Sequence, residues 1–168
     1  MDTSNTPLTA DTHIEALTFS LRGETFAMEA GLVREVLDLL PETEVPGAPP
    51  FAAAVINFRG RVIPLVDLGL AFGLQALEAT RDSRIIVIEY NIDGVATLLG
   101  LRADKVFEVT TIEHASTEEA PSVGHRWRKE YIQRIAKRGG DLIVLPNLTA
   151  IFAAQGRADP TTSPLIAA

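Results

Sequence analysis

The ordered part of the chain is dominated by short segments in which apolar and polar residues alternate, the two-residue period of a strand with one buried face. From Ile14 to Leu21, Leu17, Phe19 and Leu21 share one face, and Thr18 and Ser20 the other. Arg22-Gly23 then makes a tight turn, and Glu24 to Met28 returns with Phe26 and Met28 inward. A Gly-containing turn between alternating runs is a hairpin signal. The same signal recurs at Arg84–Tyr90, Asn91-Ile92-Asp93-Gly94 and Val95–Leu101. It recurs again at Tyr131–Lys137, Gly139-Gly140-Asp141 and Leu142–Leu145. Arg61 to Leu68 is a further β-branched run, in which Pro64 marks an edge or a bulge because proline cannot donate to a ladder.

Helix signals are fewer. Asn147 is suited to cap a helix over Leu148–Gln155 that Gly156 stops. Pro49-Pro50 can open one helical turn at Phe51–Ala54. Leu32, Val33, Val36, Leu37 and Leu40 have helical spacing, yet a short helix running into a strand fits as well, and periodicity does not choose between them. Many short strands with regular turns and little helix imply antiparallel barrels or a sandwich. Residues 1–13 read as a flexible lead and 157–168 as a tail, which leaves an ordered domain over 14–156.

Composition narrows the function. The chain has 168 residues, enough for one domain or two small units sharing a core. It has no cysteine, so disulfides, thiolate metal sites and cysteine nucleophiles are excluded. The polar start lacks the basic and apolar runs of a signal peptide, and no run reaches the ~18 apolar residues of a spanning helix. His13, His114 and His125 are far apart in polar contexts, and neither a phosphate-binding glycine loop nor a nucleophile elbow is present. No metal, cofactor or catalytic set is therefore expected.

Net charge is −7, but it is uneven. Residues 126–138 carry six basic side chains (Arg126, Arg128, Lys129, Arg134, Lys137, Arg138) against Glu130, a local +5 that leaves −12 elsewhere. Trp127 and Tyr131 are interleaved with them, as in a stacking platform for single-stranded nucleic acid. Against that alternative, an acidic chain is repelled by a phosphate backbone.

The most informative stretch is Asn57-Phe58-Arg59-Gly60 followed by Ile63-Pro64-Leu65-Val66-Asp67-Leu68. Gly60 permits a tight turn with positive φ, Asn57 can hydrogen-bond the turn's backbone, and Arg59 is then presented at its tip. A guanidinium there suits a carboxylate of this chain or of a partner.

This stretch resembles the Asn-x-Arg-Gly…Pro-x-x-Asp-Leu signature of CheW-type chemotaxis coupling proteins. The hairpin at Phe19–Met28, the segment Val33-Arg34-Glu35-Val36, Pro49-Pro50-Phe51, and the later Gly100, Asp104, Val106, Glu108 and Val109 agree in order and spacing. Gly69 stands where the family usually has arginine, and Pro146 where an acid is common. The resemblance implies an all-β fold of two five-stranded antiparallel barrels sharing one hydrophobic core, with short helices including a C-terminal one. It implies a non-catalytic scaffold that couples chemoreceptor cytoplasmic tips to the regulatory domain of the histidine kinase CheA. Such a protein would stand alone as a cytoplasmic monomer in isolation and join receptor arrays at the membrane without inserting into it or binding nucleic acid. The partner-binding positions it implies are Val33, Glu35, Val36, Asn57, Arg59, Gly60 and Ile85, with Glu35 and Arg59 able to pair and Ile85 exposed.

Overall fold

The computed structural model of the chain describes residues 12–76, 78–121 and 127–156. The tail 157–168, most of the lead, Arg126 and His125 lie outside them; His13, counted with the lead, opens the first strand.

The strands are β1 (His13–Leu21), β2 (Glu24–Glu29), β3 (Val33–Asp38), β4 (Glu42–Glu44), β5 (Ala54–Phe58) and β6 (Arg61–Val66), then β7 (Arg84–Ile92), β8 (Val95–Ala103), β9 (Lys105–Glu113), β10 (Thr117–Glu118), β11 (Ile132–Arg138) and β12 (Asp141–Pro146). A one-turn helix α1 (Leu68–Ala71) follows β6, and α2 (Leu148–Gly156) ends the described chain. The strands form two six-stranded sheets, ordered β10-β11-β12-β2-β1-β9 and β3-β7-β8-β6-β5-β4. The first hairpin thus belongs to the sheet of the C-terminal strands, and the two units interlock. Two details depart from five antiparallel strands per barrel. Each sheet gains a short edge strand, β10 or β4, and each contains one parallel pair, β12 with β2 and β6 with β8.

The register explains why the core is threefold. Leu17↔Met28, Phe19↔Phe26 and Phe26↔Val144 point one way, toward Ile86, Ile88 and Leu101 of the other sheet. The opposite face of the first sheet packs Ala16, Ala27, Ala136, Ile112, Ile143 and Leu145 inside its own barrel. The second sheet encloses Ala54, Ile56, Phe58, Ile63, Leu65, Ile85 and Val87 in the same way. A strand with two covered faces must bury its polar positions too. Thr18 is therefore buried, and its hydroxyl donates to the Glu108 carbonyl at 2.9 Å, where a bulge in β9 interrupts the ladder.

The 32–40 ambiguity resolves as a 3-10 turn at Ala30–Leu32 leading into β3. Pro50–Ala52 forms a second 3-10 turn. β6 is an interior strand despite Pro64. In the β5–β6 hairpin, Arg61, Ile63 and Leu65 bond across to β5, so the Pro64 nitrogen faces the other way. On that side the ladder with β8 begins only at Leu65, and no hydrogen bond is lost. At α2, the Ala150 N–H donates to Asn147 Oδ1 at 3.1 Å, the expected cap.

Candidate functional surface

The candidate site is built by a turn and a bulge. Arg59 (φ 51°) and Gly60 (φ 80°) occupy the two central positions of the β5–β6 turn, both left-handed as a type I′ hairpin requires. Asn57 Oδ1 accepts from the Gly60 N–H at 3.0 Å and fixes the turn. The Arg59 guanidinium lies 5.4 Å from the Phe58 ring centroid, so part of its position is set by a cation–π contact.

Glu35 reaches that guanidinium because β3 is bulged. Val33 lies opposite Ile88 and packs on the shared core. Without a bulge Glu35, two residues on, would share that face. Instead the register slips at Arg34, and Glu35 lies opposite Val87, on the face that turns into the second barrel. There, at the barrel mouth, it accepts a hydrogen bond from Arg59 Nη2. The Arg59 side chain is 70% exposed and that of Glu35 31% exposed. A pair this wet contributes only about 0–1 kcal/mol to stability. Its effect is geometric: it ties β3 to the tip of the β5–β6 hairpin and holds a guanidinium at the surface. Arg34, displaced outward by the bulge, bonds the Gly31 carbonyl and Glu89, both at 3.0 Å.

The structure therefore brings together Glu35, Asn57, Arg59 and Gly60. Val36, opposite Ile86, lies on the other face of β3 from Glu35 and is 40% exposed, while Val33 is half-buried against the core. Ile85 does not join them as an exposed residue. It is 1% exposed, inside the second barrel, and corrects the expectation. The cause is Gly100: a Cβ there would lie 3.1 Å from Ile85 Cγ2, so Ile85 fills the space a side chain would take. A residue missed from sequence is Val62, 70% exposed and paired across the hairpin with Asn57. The alternation that turns Ile63 and Leu65 inward was a signal sufficient to place it outside.

The basic segment is not a stacking platform. Trp127 packs 5.9 Å from Phe26 and 5.4 Å from Phe72, and Tyr131 is buried. Arg134 bonds the Thr117 hydroxyl at 2.9 Å and carbonyl at 3.0 Å, and Lys137 pairs with Glu118 at 2.9 Å. The aromatics face inward, and part of the charge is spent within the chain. Among the described residues no helix is long and apolar enough to cross a membrane.

Comparison with known proteins agrees with this architecture. The model of the CheW-like domain family matches residues 15–156. A chemotaxis protein CheW of Rhizobium meliloti is 27% identical, the match covering 85% of this chain and 90% of that protein. One of Bacillus subtilis is 28% identical over 81% of this chain and 85% of that protein. Among solved structures, the scaffolding protein TtCheW from Thermoanaerobacter tengcongensis superposes with a TM-score of 0.75 at 30% identity, covering 92% of this chain and 99% of that one. A family-model match over residues 15–156, on the same fold as a solved member, shows that the chain belongs to the CheW-like domain family.

Proposed function

We propose that this chain is a non-catalytic coupling scaffold of bacterial chemotaxis, linking the cytoplasmic tip of chemoreceptors to the regulatory domain of the kinase CheA. The observation that carries the reading is the Glu35–Arg59 pair at the mouth of the second barrel, which holds an exposed guanidinium at the tip of the β5–β6 hairpin. An arginine presented at the surface is among the side chains enriched at interface anchors. Family membership and relatives named as chemotaxis and scaffolding proteins support the same reading. The mechanism is orientation. Two modest contacts on one rigid body raise each other's effective concentration, so receptor and kinase are held in a fixed relation without either interface being strong. The protein acts in the cytoplasm as an array member, without cofactor.

The test is calorimetric titration with the CheA regulatory domain of the same organism, for the natural protein and for Arg59→Glu. Reversal places two carboxylates together at the barrel mouth and should abolish micromolar binding while the far-UV spectrum stays native. Equal binding by both proteins would remove Arg59 from the interface, and no binding by either would remove the kinase as partner.

A further inference from the structure

We infer that the cavity beside Glu29, where the chain crosses from the first sheet to the second, receives a guanidinium group: an arginine side chain of the protein partner that docks on the adjoining β3 surface. The inference deepens the function proposed above and rests on it for the partner's identity.

The cavity is about 60 Å³, roomier than the space one water fills. Its walls come from both units and from the start of α2. Ile14, Met28, Leu32 and Leu148 give it apolar sides, and Glu29, Gln133 and Asn147 contribute polar groups. Among the described residues Glu29 is the one lining residue that carries a charge. The Tyr90 hydroxyl, also at the wall, is engaged with Thr149. Arg34, the cation nearest in sequence, is drawn away to the Gly31 carbonyl and to Glu89.

Glu29 is half-buried, and burial raises its carboxyl above the ordinary value of about 4.5. Among the described residues no cation pairs with it. A desolvated carboxylate without a counter-charge is costly, and the cost falls when a donor replaces the lost water. Guanidinium fits this wall better than ammonium does. It is planar, weakly hydrated, tolerant of apolar contact on its faces, and able to fork onto a carboxylate.

Position argues for a protein-borne cation. Glu29 ends β2, and the turn Ala30–Leu32 carries the chain directly into β3. Leu32 lines the cavity, and Val33 to Val36 begin the candidate partner surface. A partner lying on β3 can therefore project one side chain into the cavity while its backbone stays outside.

The experiment has two arms on the full chain. In the first, methylguanidinium chloride is titrated into protein labelled with 13C at side-chain carboxyls and methyls. Saturable shifts at the Glu29 carboxyl and at the Leu32 and Leu148 methyls are expected, lost in Glu29→Gln, with n-butylammonium needing a several-fold higher concentration. Absence of saturable shifts at Glu29 overturns the inference, whatever the variant does. In the second arm a chemoreceptor tip fragment is titrated. Glu29→Gln should weaken it at least fivefold, whereas binding within twofold of the natural protein overturns the arginine assignment. If methylguanidinium binds and the tip fragment binds neither protein, the cation site stands and the coupling function falls.

Discussion

Two glycines of the second sheet should respond to the same substitution for opposite physical reasons. Gly60 has φ +80°, and a Cβ added there meets nothing within 4 Å. Gly60→Ala therefore pays only for left-handed backbone, about 1–2 kcal/mol, of which about 0.4–1 kcal/mol returns because alanine restricts the unfolded chain. At Gly100 φ is outside the left-handed region, but an added Cβ would lie 3.1 Å from Ile85 Cγ2, 3.3 Å from Ile56 Cδ1 and 3.4 Å from Leu65 Cδ1. Gly100→Ala therefore overpacks the barrel, a cost of about 1–3 kcal/mol before the same entropic return. The two similar totals separate in double mutants. Ile56→Val removes the Cδ1 that stands at 3.3 Å and alone costs about 0.5–1.5 kcal/mol. In the Gly100→Ala background it should cost less by about 0.5 kcal/mol or more, because it relieves the crowding. In the Gly60→Ala background its cost should be unchanged, and Gly60→Asn should be milder than Gly60→Ala, since asparagine tolerates positive φ. Urea unfolding followed by Trp127 fluorescence gives every term. An Ile56→Val cost that is the same in both backgrounds would refute the packing account of Gly100, and with it the reason given for the burial of Ile85.

Arg59→Gln should shift unfolding free energy by no more than about 1 kcal/mol, because the pair with Glu35 is solvent-screened, while still weakening kinase binding by calorimetry. Asn147→Ala should cost about 1 kcal/mol in urea unfolding through loss of the cap on Ala150, and Asn147→Asp should recover most of it. The raised Glu29 carboxyl predicts a pH slope of known sign. Between the unfolded value near 4.5 and the higher folded value, the folded state holds more protons, so stability falls as pH rises through that window and is flat above it. Glu29→Gln should remove that component, and a natural-minus-variant difference that stays constant from pH 4 to 7 would contradict the burial of the carboxyl. The chain's one tryptophan, Trp127, should emit at short wavelength when folded and be unmoved by RNA at physiological salt; quenching by RNA would revive the stacking platform.

What the sequence disclosed follows from what each signal depends on. The hairpins at Arg22-Gly23, Asp93-Gly94 and Gly139-Gly140 were legible because a two-residue turn is set by local backbone sterics, and all have positive φ as found. The cap at Asn147 and the Asn57–Gly60 bond were legible for the same reason, since both span three residues. β9 was not read as a strand. Its extra residue opposite Thr18 breaks the two-residue period, leaving Phe107 and Val109 exposed beside the paired Leu17 of β1. Alternation sets Thr18 and Ser20 on the face of β1 opposite Phe19, but an open sheet and one curled into a barrel have the same alternation. Only closure against Ala16, Ala27 and Ile143 shows that the second face is covered as well.

The surface site divides along the same line. Asn57, Arg59 and Gly60 act within one turn, and their motif names them. Glu35 and Ile85 depend on contacts far along the chain, and there residue type alone points both ways. A glutamate on a half-buried strand can be solvated or aimed at a partner, and the register slip at Arg34 decides in favour of Arg59. An isoleucine in an apolar strand can line a surface or a core, and the missing side chain of Gly100, fifteen positions later, draws it inward. The bulge in β3 is therefore the element on which the candidate surface depends. A substitution that irons it out, restoring strict alternation from Val33 to Leu37, would turn Glu35 to the face of Val33 and away from the guanidinium. The barrel would keep its apolar core, and Arg59 would keep its turn, but the two would no longer present one surface.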